Sequence, residues 1–249
     1  LEGESEIRLT TKIESKGYID MTLKTLKTFG ITVTETENGW SIPGGQKYHG
    51  PRMRYAEGDW SNAAFWLVAG AIGGSIGCQG LDMESPQGDR AIAALLKEFG
   101  AETKVALNQI TATHKEMKGI RIDASQIPDL VPILCVAAAA AEGKTEIYNA
   151  GRLRMKESDR LAVMAECMQK IGVEVEERPD SIIITGGCNP PEGEIVIDSH
   201  NDHRIVMAMA IAAVSLGVEL TILGAEAVNK SYPSFFIELA KLGGVTNVL

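Results

Sequence analysis

Phe29-Gly30-Ile31, Phe99-Gly100-Ala101, Ile171-Gly172-Val173 and Leu242-Gly243-Gly244 are four versions of one junction, and their glycines stand 70, 72 and 71 residues apart. A fixed period of this size marks tandem structural units. In each case apolar residues lie one and four positions before the glycine: Phe29 and Leu26, Phe99 and Leu96, Ile171 and Met168, Leu242 and Leu239. That spacing predicts an amphipathic helix that ends in a C-terminal glycine cap.

Working outward, the first three glycines are followed by alternating strand, a turn signal and strand again. The turns fall at Asn38-Gly39, Leu107-Asn108 and Pro179-Asp180, which predicts a β-hairpin in each unit. A third strand is predicted in each copy, at residues 53–56, 120–123 and 194–198. It leads into a second, almost wholly apolar helix ending in glycine near 73, 143 or 217. A helix apolar on every face must be buried on every face. Asp59, Asp129 and Asp202 open those helices, 29, 29 and 30 residues after the repeat glycine, where a side-chain carboxylate accepts backbone N–H bonds as an N-cap.

Gly3-Glu4-Ser5-Glu6-Ile7 matches Gly143-Lys144-Thr145-Glu146-Ile147, so residue 1 falls at a unit boundary and the chain holds three units and a half. A half unit exposes an apolar helix face and a sheet edge. The expectation is that sequence before Leu1 completes the last unit and supplies further copies.

Composition narrows the function. A net charge of -9 argues against general nucleic-acid binding, which needs a broad basic surface. The longest apolar runs, near 63–72 and 131–141, fall short of the roughly 20 residues of a membrane span. Cys78, Cys135, Cys167 and Cys188 have no zinc or dithiol spacing and read as free thiols of a reducing cytoplasm. No metal or cofactor is expected, since His49, His114, His200 and His203 lack ligand spacing.

Against this acidic background, three segments that precede the first helix of a repeat are basic: residues 15–18, 152–160 and 229–232. Asn201-Asp202-His203-Arg204 adds a further cluster at the start of a buried helix. Charged residues at helix starts are usually solvated caps, but recurrence at equivalent corners of a repeat fold favours convergence on an anion.

The residues that carry this basicity resemble, in order, the motifs of the EPSP synthases, a branch of the enolpyruvyl transferases. They are Ser15 to Asp20, Glu57-Gly58-Asp59, Lys156-Glu157-Ser158-Asp159-Arg160-Leu161, Asn201-Asp202-His203-Arg204 and Lys230-Ser231-Tyr232-Pro233. The resemblance implies an inside-out α/β barrel of repeats of about 70 residues, each with two helices and about four strands. It places residues 1–56 as a remnant of an N-terminal globular domain and 57–249 as the C-terminal one.

It also implies a reaction: transfer of the enolpyruvyl group of phosphoenolpyruvate to the 5-hydroxyl of shikimate 3-phosphate, with release of phosphate. Arg160, Arg204 and Lys230 would grip phosphoenolpyruvate. Asp129 and Glu157 would carry acid–base chemistry, and Ser15, Tyr18, Asp129 and Lys156 would hold shikimate 3-phosphate. Arg152 is a departure, since many relatives carry Asn there. The family's Lys-Ser-x-x-x-Arg motif, Gly-rich loop and Ser-Ser-Gln segment are not found in residues 1–249. The chain alone is therefore expected to be inactive, with the missing N-terminal portion as its partner. UDP-N-acetylglucosamine enolpyruvyl transferase and a non-catalytic anion-binding fragment are the alternatives.

Overall fold

The computed structural model describes residues 1–50, 55–106 and 108–247. Its elements follow the repeat. The strand β1 (Ser5–Arg8), helix α1 (Lys16–Thr28) and hairpin β2 (Thr34–Thr36) and β3 (Gly39–Ile42) are followed by helix α2 (Trp60–Gly73). The next unit has β4 (Ser75–Gln79), α3 (Ile92–Phe99), the hairpin β5 (Glu102–Ala106) and β6 (Gln109–Thr113), β7 (Arg121–Asp123) and α4 (Val131–Ala140). The third has β8 (Lys144–Tyr148), α5 (Arg160–Lys170), the hairpin β9 (Glu174–Arg178) and β10 (Ser181–Thr185), β11 (Val196–Asp198) and α6 (His203–Leu216). Then come β12 (Thr221–Leu223) and α7 (Phe235–Lys241).

The four junction glycines behave alike. Each has positive φ, from 78° at Gly30 to 113° at Gly100, a region costly for any residue with a Cβ. The residue after each glycine donates its N–H to the carbonyl five positions back: Ile31 to Leu26, Ala101 to Leu96, Val173 to Met168 and Gly244 to Leu239, at 2.9–3.0 Å. This is the Schellman cap, which satisfies carbonyls that the helix end would leave unpaired.

The core is built on α2, α4 and α6, which pack against one another, with strands and the amphipathic helices α3, α5 and α7 outside them. This is the inside-out arrangement. Apolar side chains on all faces of α4 (Val131 to Ala139 are all buried) leave no solvent-facing stripe, so the helix is stable only when enclosed. The principal hydrophobic cluster runs from Trp60 to Leu239; Ile31 and Trp40 are buried outside it.

Several expectations need correction. The stripe of α1 is only half covered, and no residue of that helix is fully buried. Leu239 in α7 is buried, but Leu242, just past the end of that helix, is exposed. The second helix of the middle unit stops at Ala140, ahead of Gly143, because Ala141 turns extended. Asp129 is no N-cap: it sits inside a 3-10 turn, Pro128–Leu130, with its carboxylate turned elsewhere. The strand expected at 53–56 and the turn residue Leu107 fall wholly or partly outside the described residues; Tyr55 and Ala56 are not in a strand.

Sheet pairing repeats too. β4 pairs antiparallel with β6, and β8 pairs antiparallel with β10 and parallel with β7. The equivalent β12 pairs parallel with β11, its one strand partner among the described residues. Among those residues no helix is long and apolar enough to cross a membrane.

Candidate active site

Four segments deliver the site. Tyr18 lies in the first turn of α1, Asp129 in the turn before α4, Lys156 and Glu157 between the 3-10 turn Gly151–Met155 and α5, and Arg204 in the first turn of α6. Gly17 makes the first placement possible: a Cβ there would meet the Pro86 carbonyl oxygen at 2.6 Å and the Gly88 nitrogen at 3.0 Å. Only a glycine lets α1 approach this closely, and the approach brings the next residue, Tyr18, to Asp129.

Asp129 is the hub. Its Oδ2 accepts a hydrogen bond from the Tyr18 hydroxyl at 2.9 Å, and its Oδ1 accepts from Arg160 Nη1 at 2.8 Å. Lys156 Nζ lies 3.1 Å from Oδ1 and Arg204 Nη2 lies 3.5 Å from Oδ2. Burial opposes ionisation of this carboxyl. Arg204 and Lys156, the Tyr18 hydroxyl and Arg160 outweigh it and hold the group well below the usual carboxylate range. Tyr18 is shifted the other way, first by burial and then by Asp89 and Asp129, so it stays protonated and donates.

Arg160 is buried to 1% exposure. Nε and Nη2 donate to the two oxygens of Asp202 at 2.8 and 3.2 Å, Nη1 donates to Asp129, and Nη2 also reaches Glu157. A buried guanidinium needs such pairing, since an unpaired charge would cost several kcal/mol. Asp202 does double service, because its Oδ1 accepts the Arg204 backbone N–H at 3.0 Å as the N-cap of α6 while its Oδ2 also accepts from the Ser158 hydroxyl at 3.0 Å. Asp59, its repeat mate, is a plain cap on the N–H groups of Ser61 and Asn62.

Three carboxylates, Asp129, Glu157 and Asp202, thus interleave with three cations, Lys156, Arg160 and Arg204. Lys230 and Ser15 stand at the margin. Lys230 donates to the Asn201 carbonyl beside Asp202, and Ser15 is bonded to Arg152. His203 is buried, and burial lowers its pKa; its Nδ1 has no hydrogen-bond partner.

Two features escaped sequence reasoning. The pairing role of Asp202 was hidden behind its cap position. Asp89, accepting from the Ser61 hydroxyl, is 4% exposed and its pKa is pushed up to about 6, first by burial. A Gly-Asp before a helix reads as a turn, and carries no signal of burial.

The family model described as EPSP synthase (3-phosphoshikimate 1-carboxyvinyltransferase) matches residues 1–239. The chain belongs to the EPSP synthase family. Curated family members include the 3-phosphoshikimate 1-carboxyvinyltransferase of Clostridium acetobutylicum, 48% identical over 247 residues, which cover 98% of this chain and 56% of that relative. The Clostridium novyi enzyme of the same name is 44% identical, again over 98% and 56%. Among solved structures, the EPSP synthase of Acinetobacter baumannii superposes with a TM-score of 0.77 at 30% identity, over 98% of this chain and 57% of that one. The enolpyruvyl transferase NikO of Streptomyces tendae, at 18% identity and a TM-score of 0.74, shares the fold. The chain spans a little over half the length of these EPSP synthase family relatives.

Proposed function

We propose that this chain carries part of an EPSP synthase active site. That site transfers the enolpyruvyl group of phosphoenolpyruvate to the 5-hydroxyl of shikimate 3-phosphate, giving 5-enolpyruvylshikimate 3-phosphate and phosphate on the route to aromatic amino acids in the cytoplasm. The observation that carries the reading is the convergence of Tyr18, Lys156, Arg160 and Arg204 on the one carboxylate of Asp129. Both substrates are small polyanions, and their carboxylates and phosphates recover lost hydration from charge-assisted bonds to such cations.

In this reading Asp129, kept ionised by its neighbours, accepts the proton of the 5-hydroxyl. Glu157, the most open of the three carboxylates, exchanges a proton with the methylene carbon. Arg204 and Lys230 bind phosphoenolpyruvate. Arg160 is already bound to three carboxylates, so its part is to aim Asp129 and Glu157 and to present charge to phosphoenolpyruvate. Ser15, Tyr18 and Lys156 hold shikimate 3-phosphate. Residues 1–56 form one lobe and 57–249 another; the main hydrophobic cluster begins at Trp60, in keeping with that division. An N-terminal portion supplies the remaining cations, so residues 1–249 alone turn over slowly or not at all.

The test is a chimera in which residues 1–249 replace the matching part of the Clostridium acetobutylicum relative. Phosphate release dependent on both substrates is expected from the chimera and not from residues 1–249 alone. A well-folded chimera with no turnover would refute the proposal.

A further inference from the structure

His200 and Asn201 are consecutive, neither is glycine, and both have positive φ, 49° and 56°. Histidine and asparagine tolerate this region better than most residues, but a side chain normally visits it singly. Two in succession persist only where the surroundings over-determine them, and such strain gathers at functional sites. Both residues are exposed, so the turn is worked by its backbone.

The repeat shows what the conformation achieves. Asp123 and Asp198 end the equivalent strands β7 and β11, and each accepts the N–H of the residue two positions on, Ser125 at 2.9 Å and His200 at 2.8 Å. Asp129 then lies six positions beyond Asp123, whereas Asp202 lies only four beyond Asp198. The longer connection uses no positive φ and the shorter one uses two. The tight turn directs the Asn201 carbonyl to Lys230, whose Nζ donates to it. The two sides are fixed to each other nearby. Ser199 is wholly buried, its N–H donates to the Leu223 carbonyl at 3.2 Å, and its hydroxyl donates to the Gly224 carbonyl at 3.2 Å. Lys230 closes the 3-10 turn that follows, in which Ala227 and Val228 are buried.

The acceptor offered to Lys230 is neutral. Lys156, the other lysine of the site, lies 3.1 Å from the Asp129 carboxylate, which offsets its charge. Lys230 takes part in no ion pair among the described residues, and Asp202, the neighbour of Asn201, is occupied by Arg160, Ser158 and the Arg204 N–H. An ammonium has three donors, so a single carbonyl leaves two for an anion. We infer that His200 and Asn201 are positioning residues: their paired left-handed backbone presents the Asn201 carbonyl to Lys230, which aims the ammonium without neutralising it. This rests on the proposed function, in which Lys230 binds phosphoenolpyruvate, and names the element that holds that lysine in place.

Steady-state kinetics of the chimera with the Clostridium acetobutylicum relative test it, using Asn201→Val, Asn201→Ala, Asn201→Gly and Lys230→Met. Valine, branched at Cβ, is poorly suited to positive φ and should raise the KM for phosphoenolpyruvate roughly tenfold, with the KM for shikimate 3-phosphate little changed. Alanine should give about threefold in the same direction, and carries the prediction if the valine variant does not fold. Asn201→Gly, which lacks the amide but keeps the backbone conformation, should recover most of the loss. Equal rises in both KM values, no rise in either, or a glycine variant as impaired as valine would overturn the inference. Lys230→Met separates the two claims. If it lowers kcat/KM for phosphoenolpyruvate while Asn201→Val does not, the positioning role is refuted and the functional reading stands; if Lys230→Met has no effect, the assignment of Lys230 falls and the inference with it.

Discussion

Arg160 and Asp202, 42 positions apart, form a doubly bonded pair: Arg160 Nε and Nη2 lie 2.8 and 3.2 Å from the two carboxylate oxygens of Asp202. Both side chains are excluded from solvent, at 1% and 0% exposure. The pair ties the start of α5 to the start of α6, and from that anchor Arg160 reaches on to Asp129.

Removing Asp202 should therefore cost far more than removing a cap. Asp202→Ala is expected to destabilise the chain by about 3 kcal/mol, because it breaks a buried ion pair and removes two of the hydrogen bonds of the Arg160 guanidinium, leaving those to Asp129 and Glu157. Asp59→Ala, which loses only a cap, should cost about 1 kcal/mol. Urea denaturation of the two variants checks the contrast; equal losses would refute the pairing role.

Asp89 should make the protein less stable as pH rises. Its folded pKa of about 6 lies above the ordinary 3.8, so the folded state holds this proton more tightly than the unfolded one. Stability is then lost as pH climbs from about 4 to 6, by an amount on the order of 1–3 kcal/mol. Asp89→Asn, which can still accept from Ser61, should raise the melting temperature at pH 8 and lose that advantage near pH 4. Asp129 and Asp202 act in the opposite sense: their lowered values give stability that is present above the usual carboxylate range and lost on acidification. Melting curves across pH separate the two trends.

The repeat glycines should tolerate a methyl group unequally. At Gly172 a Cβ would collide with the Asn189 carbonyl oxygen, whereas at Gly243 it would meet nothing, and both residues have positive φ. Gly243→Ala is expected to cost about 1 kcal/mol from backbone strain alone. Gly172→Ala should cost at least twice that, read as the shift in denaturation midpoint.

α1 should be the first of the α-helices to open, since it alone among them has no fully buried residue. Tyr18→Phe, which deletes its hydrogen bond to Asp129, should speed amide exchange across residues 16–28 and leave α4 and α6 protected. Equal acceleration in all three helices would contradict this view of Tyr18 as the local tether.

Much of the fold was legible because glycine at positive φ and apolar spacing are local signals that recur with the repeat. Leu26, Leu96, Met168 and Leu239 each receive the same cap bond their spacing implied. The site was legible as a set of basic and acidic residues, but not as a wiring scheme. Asp59, Asp129 and Asp202 look equivalent along the chain, and the structure makes them a plain cap, a hub and a cap joined to an ion pair. That divergence depends on which neighbours tertiary folding brings, and no local pattern encodes it. Arg152 and Arg154 part for the same reason, one meeting Ser15 and the other Glu177.

The most direct measurement is the turnover of the chimera carrying Asp129→Asn beside the same chimera carrying Asp59→Asn. If Asp129 takes the substrate proton, its variant should lose roughly 100- to 10,000-fold in kcat with the KM for phosphoenolpyruvate little changed, while Asp59→Asn stays near wild type. An Asp129→Asn chimera that keeps kcat within about threefold would contradict the account.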